Sequence, residues 1–483
     1  MYPRNYATKP HLEKHPVNLL SLQNLASGLL ILISSGVGLS ALPASAELTL
    51  PHIFGDNMVL QRDMPIPVWG RAAPGEQVTV SLADETRETK AGSSGQWKVV
   101  LPSLNKKGPL ELSVKAASGS EKVFKNVLLG EVWVCAGQSN MEKPIGPHPG
   151  QRPCINYPKE IAAANYPEIR LMEVPPTHAK QPATDANCRW LPCSPQTIVI
   201  KRGGGHGFSA CAYFFGRELH RELKVPIGLV AASAGGTRCE PWTPGQGRNG
   251  QEAVLYNGMI APLMPMAIRG AIWYQGESNN GDGMKYCAKM KTLITGWRNA
   301  WGQGDFPFYF VQLPDFPCGP NNLAEMREAQ TATLALPNTG MAVTIDIGTF
   351  PDCHCTNKQE VGRRLALWAL AKDYGRKDLV YSGPLYQSME VEGDKIRIHF
   401  NPTGSGLTTR DGSKELTFFE IAAADGKFVP AKAMIDNDSV LVFSDAVKQP
   451  IAARFAWDER AIPNLVNKEL LPATTFRTNP PGK

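Results

Sequence analysis

The chain of 483 residues is longer than one typical core supports, so two or three domains are expected. Apolar residues at 42% and charged residues at 19% exclude an intrinsically disordered chain. The formal charge of +6 is spread without a basic cluster, which argues against a nucleic-acid-binding protein.

Residues 1–46 read as an export signal. Arg4, Lys9 and Lys14 precede an apolar stretch from Leu25 to Leu42, and Ala44-Ser45-Ala46 supplies a small-residue cleavage pattern with the cut after Ala46. No later stretch reaches the roughly 18 uninterrupted apolar residues of a spanning helix. The mature chain is therefore expected to be exported, periplasmic or extracellular, with no membrane partner. Its ten cysteines all lie between Cys135 and Cys355, and in an exported protein some of them are expected to form disulfides.

Residues 47–125 read as an all-β module. Short strand-like runs at Pro65–Trp69, Val78–Leu82 and Trp97–Leu101 alternate with turns, as in a small sandwich, and Pro65 and Pro67 confine the first run to a sheet edge. Residues 126–376 alternate strand and helix signals, which implies an α/β layer with a parallel sheet. The clearest are strands at Val132–Ala136, Val225–Val230, Ala267–Tyr274 and Phe308–Leu313, and helices at Tyr213–Leu223 and Gln359–Tyr374. Residues 377–483 return to β, as the period-two run Lys395–Phe400 illustrates, and end in a tail.

The chain is organised around Gly130–Glu142, GEVWVCAGQSNME. A buried-strand run ends at Gly137, and Ser139 follows in the turn, at the sheet edge where α/β folds bind ligands. The stretch is half of a nucleophile elbow, because Met141 replaces its second glycine. A serine needs a base, and histidine is the usual one. Of nine histidines, His206 follows a glycine run, while His354 stands in a loop just before a helix with Asp352 two residues away. Ser233-Ala234-Gly235-Gly236-Thr237 and Trp273–Asn279 follow other strands. They offer backbone N–H groups and the amides of Gln275 and Asn279 to a developing oxyanion. Ser278 is a rival nucleophile in a second glycine-containing turn. Cys353-His354-Cys355 lacks a second pair of zinc-spaced ligands, so no metal is expected.

GEVWVCAGQSNM, FSACAYFFGRELHRELKVPIGLV, WYQGESN and the Asp352-x-His354 to NKQEVGRRLALWAL run resemble the sialate O-acetylesterase family, among the SGNH-type serine esterases. The likeness extends to LPHIFGDNMVLQRDMPIPVWGRA and to NLVNKELLPATTFRT. The resemblance implies a three-layer α/β, SGNH-hydrolase-like catalytic domain flanked by N- and C-terminal β modules. It further implies a serine mechanism without cofactor or metal and removal of O-acetyl groups from sugars. It places the nucleophile on Ser139, the base on His354 and the acid on Asp352, with Asp346 and Glu277 as substitutes, since the wider superfamily favours a D-x-x-H spacing and Pro351 stands at that position. The oxyanion hole falls on Ser139, Gly236 or Gly235, Gln275 and Asn279, and Glu277 and Arg327 are expected near the substrate. Two departures are Ala234, where the family usually has tryptophan, and Cys355, where it usually has proline. Acetylxylan or another acetylated polysaccharide is the alternative substrate. A non-catalytic carbohydrate-binding protein is the alternative of another class.

Overall fold

The computed structural model describes residues 47–200, 207–245, 253–317 and 322–478. The export-signal segment, His206, Cys318 and residues 479–483 lie outside the described residues.

The central element is the strand Glu121–Gly137. Its burial alternates up to Asn126 and is then complete from Val127 to Gly137. A strand with one face in water becomes a strand covered on both faces, as its sequence changes from alternating to continuously apolar. Its first part belongs to the N-terminal module, paired antiparallel with Leu110–Ala116. Its second part is the middle of a parallel sheet, between Ile227–Ser233 and Gly270–Tyr274. The expected domain boundary at 125 thus falls inside one continuous strand.

The sheet runs in the order Thr339–Ala342, Phe308–Val311, Gly270–Tyr274, Glu121–Gly137, Ile227–Ser233, Tyr166–Glu173, Trp190–Cys193, and only the last pairing is antiparallel. From the central strand the chain first builds one side of the sheet and then the other. That makes the strand's carboxyl end the topological switch point. Helices cover both faces. In the parallel register Gly270 lies beside Trp133 and Trp273 beside Ala136, so Trp133 and Trp273 point to opposite faces. Trp133 meets Phe215 of the helix Ala210–Leu223, ring centroids 5.1 Å apart, and Trp273 meets Trp297 of the helix Lys285–Trp301 at 6.1 Å. The result is the expected three-layer α/β domain. The helix Lys358–Lys372 packs on Ala210–Leu223 so closely that a Cβ at Gly362 would lie 2.5 Å from the Phe215 nitrogen.

The N-terminal module is a sheet built on Gln77–Leu82 with a separate ribbon of Ile66–Arg71 and Gln96–Leu101. The proline-bearing strand pairs along its length with one neighbour only, as an edge strand should. Beyond residue 377 two four-stranded antiparallel sheets share a core of Phe419, Phe455, Phe476 and Tyr386. This C-terminal module is fastened to the α/β layer by Gln312 to Thr474, Arg477 to Glu328 at 2.7 Å and Arg410 to Asp346 at 2.5 Å.

The expected disulfides do not form: no two of the nine described cysteines are bonded to each other. Eight of them are buried, and Cys135 and Cys211 fill the core as small apolar side chains.

Candidate active site

Ser139 sits just past the switch-point strand. The strand end is held from both sides, by Ala234 N–H to Gly137 O and Gln138 N–H to Tyr274 O. Gly137 has φ 147°, and a Cβ there would lie 2.1 Å from the Tyr274 carbonyl oxygen. Only glycine permits this approach, and it leaves Ser139 half-exposed between buried Gln138 and Asn140.

His354 faces it from the loop before the helix Lys358–Lys372. Ser139 Oγ is 3.0 Å from His354 Nε2, and His354 Nδ1 is 2.9 Å from Asp352 Oδ1. An ionised carboxylate only accepts, so Nδ1 carries the proton and Nε2 is left to accept from the serine hydroxyl. Asp352 Oδ1 also accepts the His354 backbone N–H at 2.9 Å. This is an Asx turn, and it explains how a two-residue spacing folds the imidazole onto its own carboxylate. Asp346 is elsewhere: Arg364 grips it with both arms at 2.6 and 2.8 Å, and Arg410 closes the other side.

Burial pushes the His354 pKa below its ordinary 6.5; Asp352 opposes that shift, and the cations of Lys358 and Lys143 add to it. The shift favours the neutral imidazole, the form able to accept the serine proton. Asp352, Cys353 and His354 place possible metal donors within 4.8 Å of one another. Both ring nitrogens of His354 are engaged by Asp352 and Ser139, so the ring has none left for a metal while this line is assembled.

Asn140 ties the site together. Its Nδ2 donates to Glu277 Oε1 and to the Cys353 carbonyl, and its Oδ1 accepts from Lys358 Nζ. The Lys358 ammonium also lies 4.4 Å from the centre of the Tyr274 ring. Neither Asn140 nor Lys358 stood out in the sequence, although both lie inside the motifs quoted for the resemblance. Glu277, expected at the substrate, is instead a buried acceptor behind Ser139, and burial raises its pKa.

Two amides are also reassigned. Gln275 Nε2 donates to Thr237 O and Asn279 Oδ1, while Asn279 Nδ2 donates to Glu240 and Asp282. All their amide hydrogens are engaged by protein acceptors, which corrects their expected place in the oxyanion hole. Arg327 is fully buried, with Nε donating to the Leu313 carbonyl at 2.9 Å, so it does not reach a substrate. Gly235 and Gly236 are exposed beside the serine. A Cβ at Gly235 would be 3.5 Å from Ser139 Cβ and 2.7 Å from Glu142 Oε2, and its N–H is given to the Glu142 carboxylate. Gly236 has φ 71° and open space around its Cα. Ser278 lies on the neighbouring loop, where its N–H donates to Gln138 Oε1.

A serine, a neutral histidine and a carboxylate in one hydrogen-bonded line, at the switch point of a parallel sheet between two helical layers, define the class of α/β serine hydrolases. The model of the carbohydrate esterase family of sialic acid-specific acetylesterases matches residues 129–371. The sialate O-acetylesterase of Homo sapiens is 31% identical, over 84% of this chain and 86% of its own. That of Rattus norvegicus is 30% identical, over 92% and 93%. A solved carbohydrate acetylesterase from Xanthomonas citri is 40% identical with a TM-score of 0.83, over 89% of this chain and 99% of its own. The chain belongs to the sialic acid-specific acetylesterase family, and it is an esterase.

Proposed function

We propose that this esterase hydrolyses acetyl esters of sugar hydroxyls, with O-acetylated sialic acid as its substrate class. The observation that carries the reading is the line Ser139–His354–Asp352 in a member of this family. His354 Nε2 takes the Ser139 proton as Oγ attacks the acetyl carbonyl carbon. The oxyanion is received by the N–H groups of Ser139 and Gly236, neither of which has another partner among the described residues. The tetrahedral intermediate collapses, His354 returns the proton to the departing sugar oxygen, and the acetyl group stays on Ser139. Water, deprotonated by His354, then releases acetate.

Sialic acid is supported by the relatives named sialate O-acetylesterase, whereas the Xanthomonas citri protein, at higher identity, is named only a carbohydrate acetylesterase, which leaves an acetylated polysaccharide as the alternative to separate. Acetate release from 9-O-acetyl sialic acid, acetylated xylan and an acetylated algal glycan separates them. The reading expects release that falls by at least about 10⁴-fold in Ser139→Ala, with the sialic acid preferred. Full activity in Ser139→Ala removes the serine from the mechanism, and a preference for xylan replaces the substrate. We further propose that the enzyme is exported after cleavage behind Ala46. The charged start, apolar stretch and A-x-A ending support this, and N-terminal sequencing of the secreted protein tests it, with a mature start at Glu47 expected.

A further inference from the structure

A second concave site lies far from Ser139, where the N-terminal module meets the α/β layer. It is a cleft of about 1030 Å³, at the upper end of the sizes that hold organic ligands. Phe124, on its wall, belongs to the same strand whose other end carries the nucleophile turn. The length of strand from Val127 to Gly137 alone is about 33 Å at the usual rise per residue.

The ribbon of the module forms one side. In its antiparallel register Trp69 is directly opposite Lys98, and Arg71 is opposite Gln96. Residues so paired, and those two apart on one strand, share a face. All four therefore stand on one face, and all four line the cleft. Trp69 is only half-buried, its ring held edge-on by Phe54 at 4.8 Å. Phe124 offers a second half-buried ring, and the adjoining Trp97 is buried with no partner for its Nε1–H. Across the cleft His52 Nδ1 meets Asp185 Oδ2 at 2.6 Å, which fixes the far rim.

Two features decide what fits. Rings with accessible faces beside hydrogen-bonding groups suit a sugar, which has an apolar C–H face and a hydroxylated edge. The lining also holds three cations, Arg71, Lys98 and Lys122, against one carboxylate, Asp185, which the His52 ring already engages; Lys122 is paired with Glu47 at 3.2 Å, so the excess rests on Arg71 and Lys98. A neutral polysaccharide has no use for that excess, whereas an anionic sugar does. We propose that this cleft is a binding site for a carboxylate-bearing glycan, with a pyranose ring on Trp69 and the carboxylate towards Lys98 and Arg71. The choice of acid sugar rests on the sialic acid reading above. Holding the carrier glycan at a second place raises the effective concentration of its acetylated residues at Ser139.

The test uses the full chain carrying Ser139→Ala, titrated with 3′-sialyllactose and with lactose in calorimetry. Binding of 3′-sialyllactose that weakens about tenfold or more in Trp69→Ala and in Lys98→Glu, with lactose much weaker throughout, is the expected result. The same two substitutions in the Ser139 protein are expected to leave p-nitrophenyl acetate hydrolysis unchanged. If Trp69→Ala loses that hydrolysis through misfolding, the exposed Lys98→Glu decides alone. Unchanged affinity in Lys98→Glu, or equal binding of lactose, overturns the proposal. Failure of the enzyme to release acetate from sialic acid overturns the substrate reading instead, and the binding result stands separately from it.

Discussion

The two halves of the catalytic line are built in opposite ways. Ser139 is placed by main chain: a fully buried strand, hydrogen-bonded on both sides, and a glycine that no other residue replaces. His354 is placed by side chains, on an irregular loop with no strand of its own. That loop is fastened by the Asp352 turn, by Thr349 Oγ1 accepting the Thr356 N–H at 3.2 Å and by Asn140 reaching across to the Cys353 carbonyl. The difference shows which part of a serine hydrolase tolerates change. A nucleophile held by backbone fails all at once when its glycine is lost, whereas a base held by side chains loses its alignment bond by bond.

The contrast is sharpest at Gly137. Gly137→Ala places a methyl against the Tyr274 carbonyl in a backbone region that alanine avoids, and no active folded enzyme is expected from it, as solubility and p-nitrophenyl acetate turnover will show. On the histidine side, Asp352→Asn is expected to keep the fold and lower kcat by about 10³–10⁴-fold, because an amide does not hold the imidazole in the required tautomer. Asp346→Asn, only six residues away, is expected to do the reverse. Its side chain is wholly buried against Arg364, so the loss appears in thermal stability, on the order of 3 kcal/mol, with kcat little changed. If the two aspartates exchange these phenotypes, the division between them is wrong. Asn140→Ala removes one fastening and is expected to cost about 10–10² in kcat, at nearly unchanged KM for p-nitrophenyl acetate.

The smallest effect is on pH. The base works only when neutral, and its pKa lies below the ordinary value, so activity persists above a midpoint under about 6.5 and is lost as pH falls through it. Lys358→Met withdraws one of the cations that lower this pKa. The acidic limb of kcat/KM is then expected to move to higher pH, and a shift to lower pH contradicts the electrostatic role given to Lys358.

Backbone placement is also what was legible in the sequence. The apolar run, the glycine and the serine of GEVWVCAGQSN are contiguous, and the Asp352 turn closes within three residues, so local pattern carries both. The amides and charges of the neighbouring loop mislead for the same reason. Gln275 is committed to Tyr286 and Asn279, Asn279 to Glu240 and Asp282, and Glu277 to Asn140, and apart from the short-range Gln275–Asn279 and Asn279–Asp282 pairs those partners come from other elements. A side chain with unused donors and one already engaged look alike in a motif. The same limit applies to Glu85–Lys90, ETRETK, an exposed strand without apolar alternation that only its pairing with Gln77–Leu82 reveals. It applies as well to cysteines buried singly in the core.

The central claim is that Ser139 is the nucleophile and that His354 activates it. A fluorophosphonate reacts only with an activated serine, so labelling of the purified enzyme followed by peptide mass spectrometry addresses both halves together. One adduct, on Ser139, abolished in His354→Ala and much slowed in Asp352→Asn, is the predicted result. Labelling on Ser278, or labelling of Ser139 that persists in His354→Ala, contradicts the account.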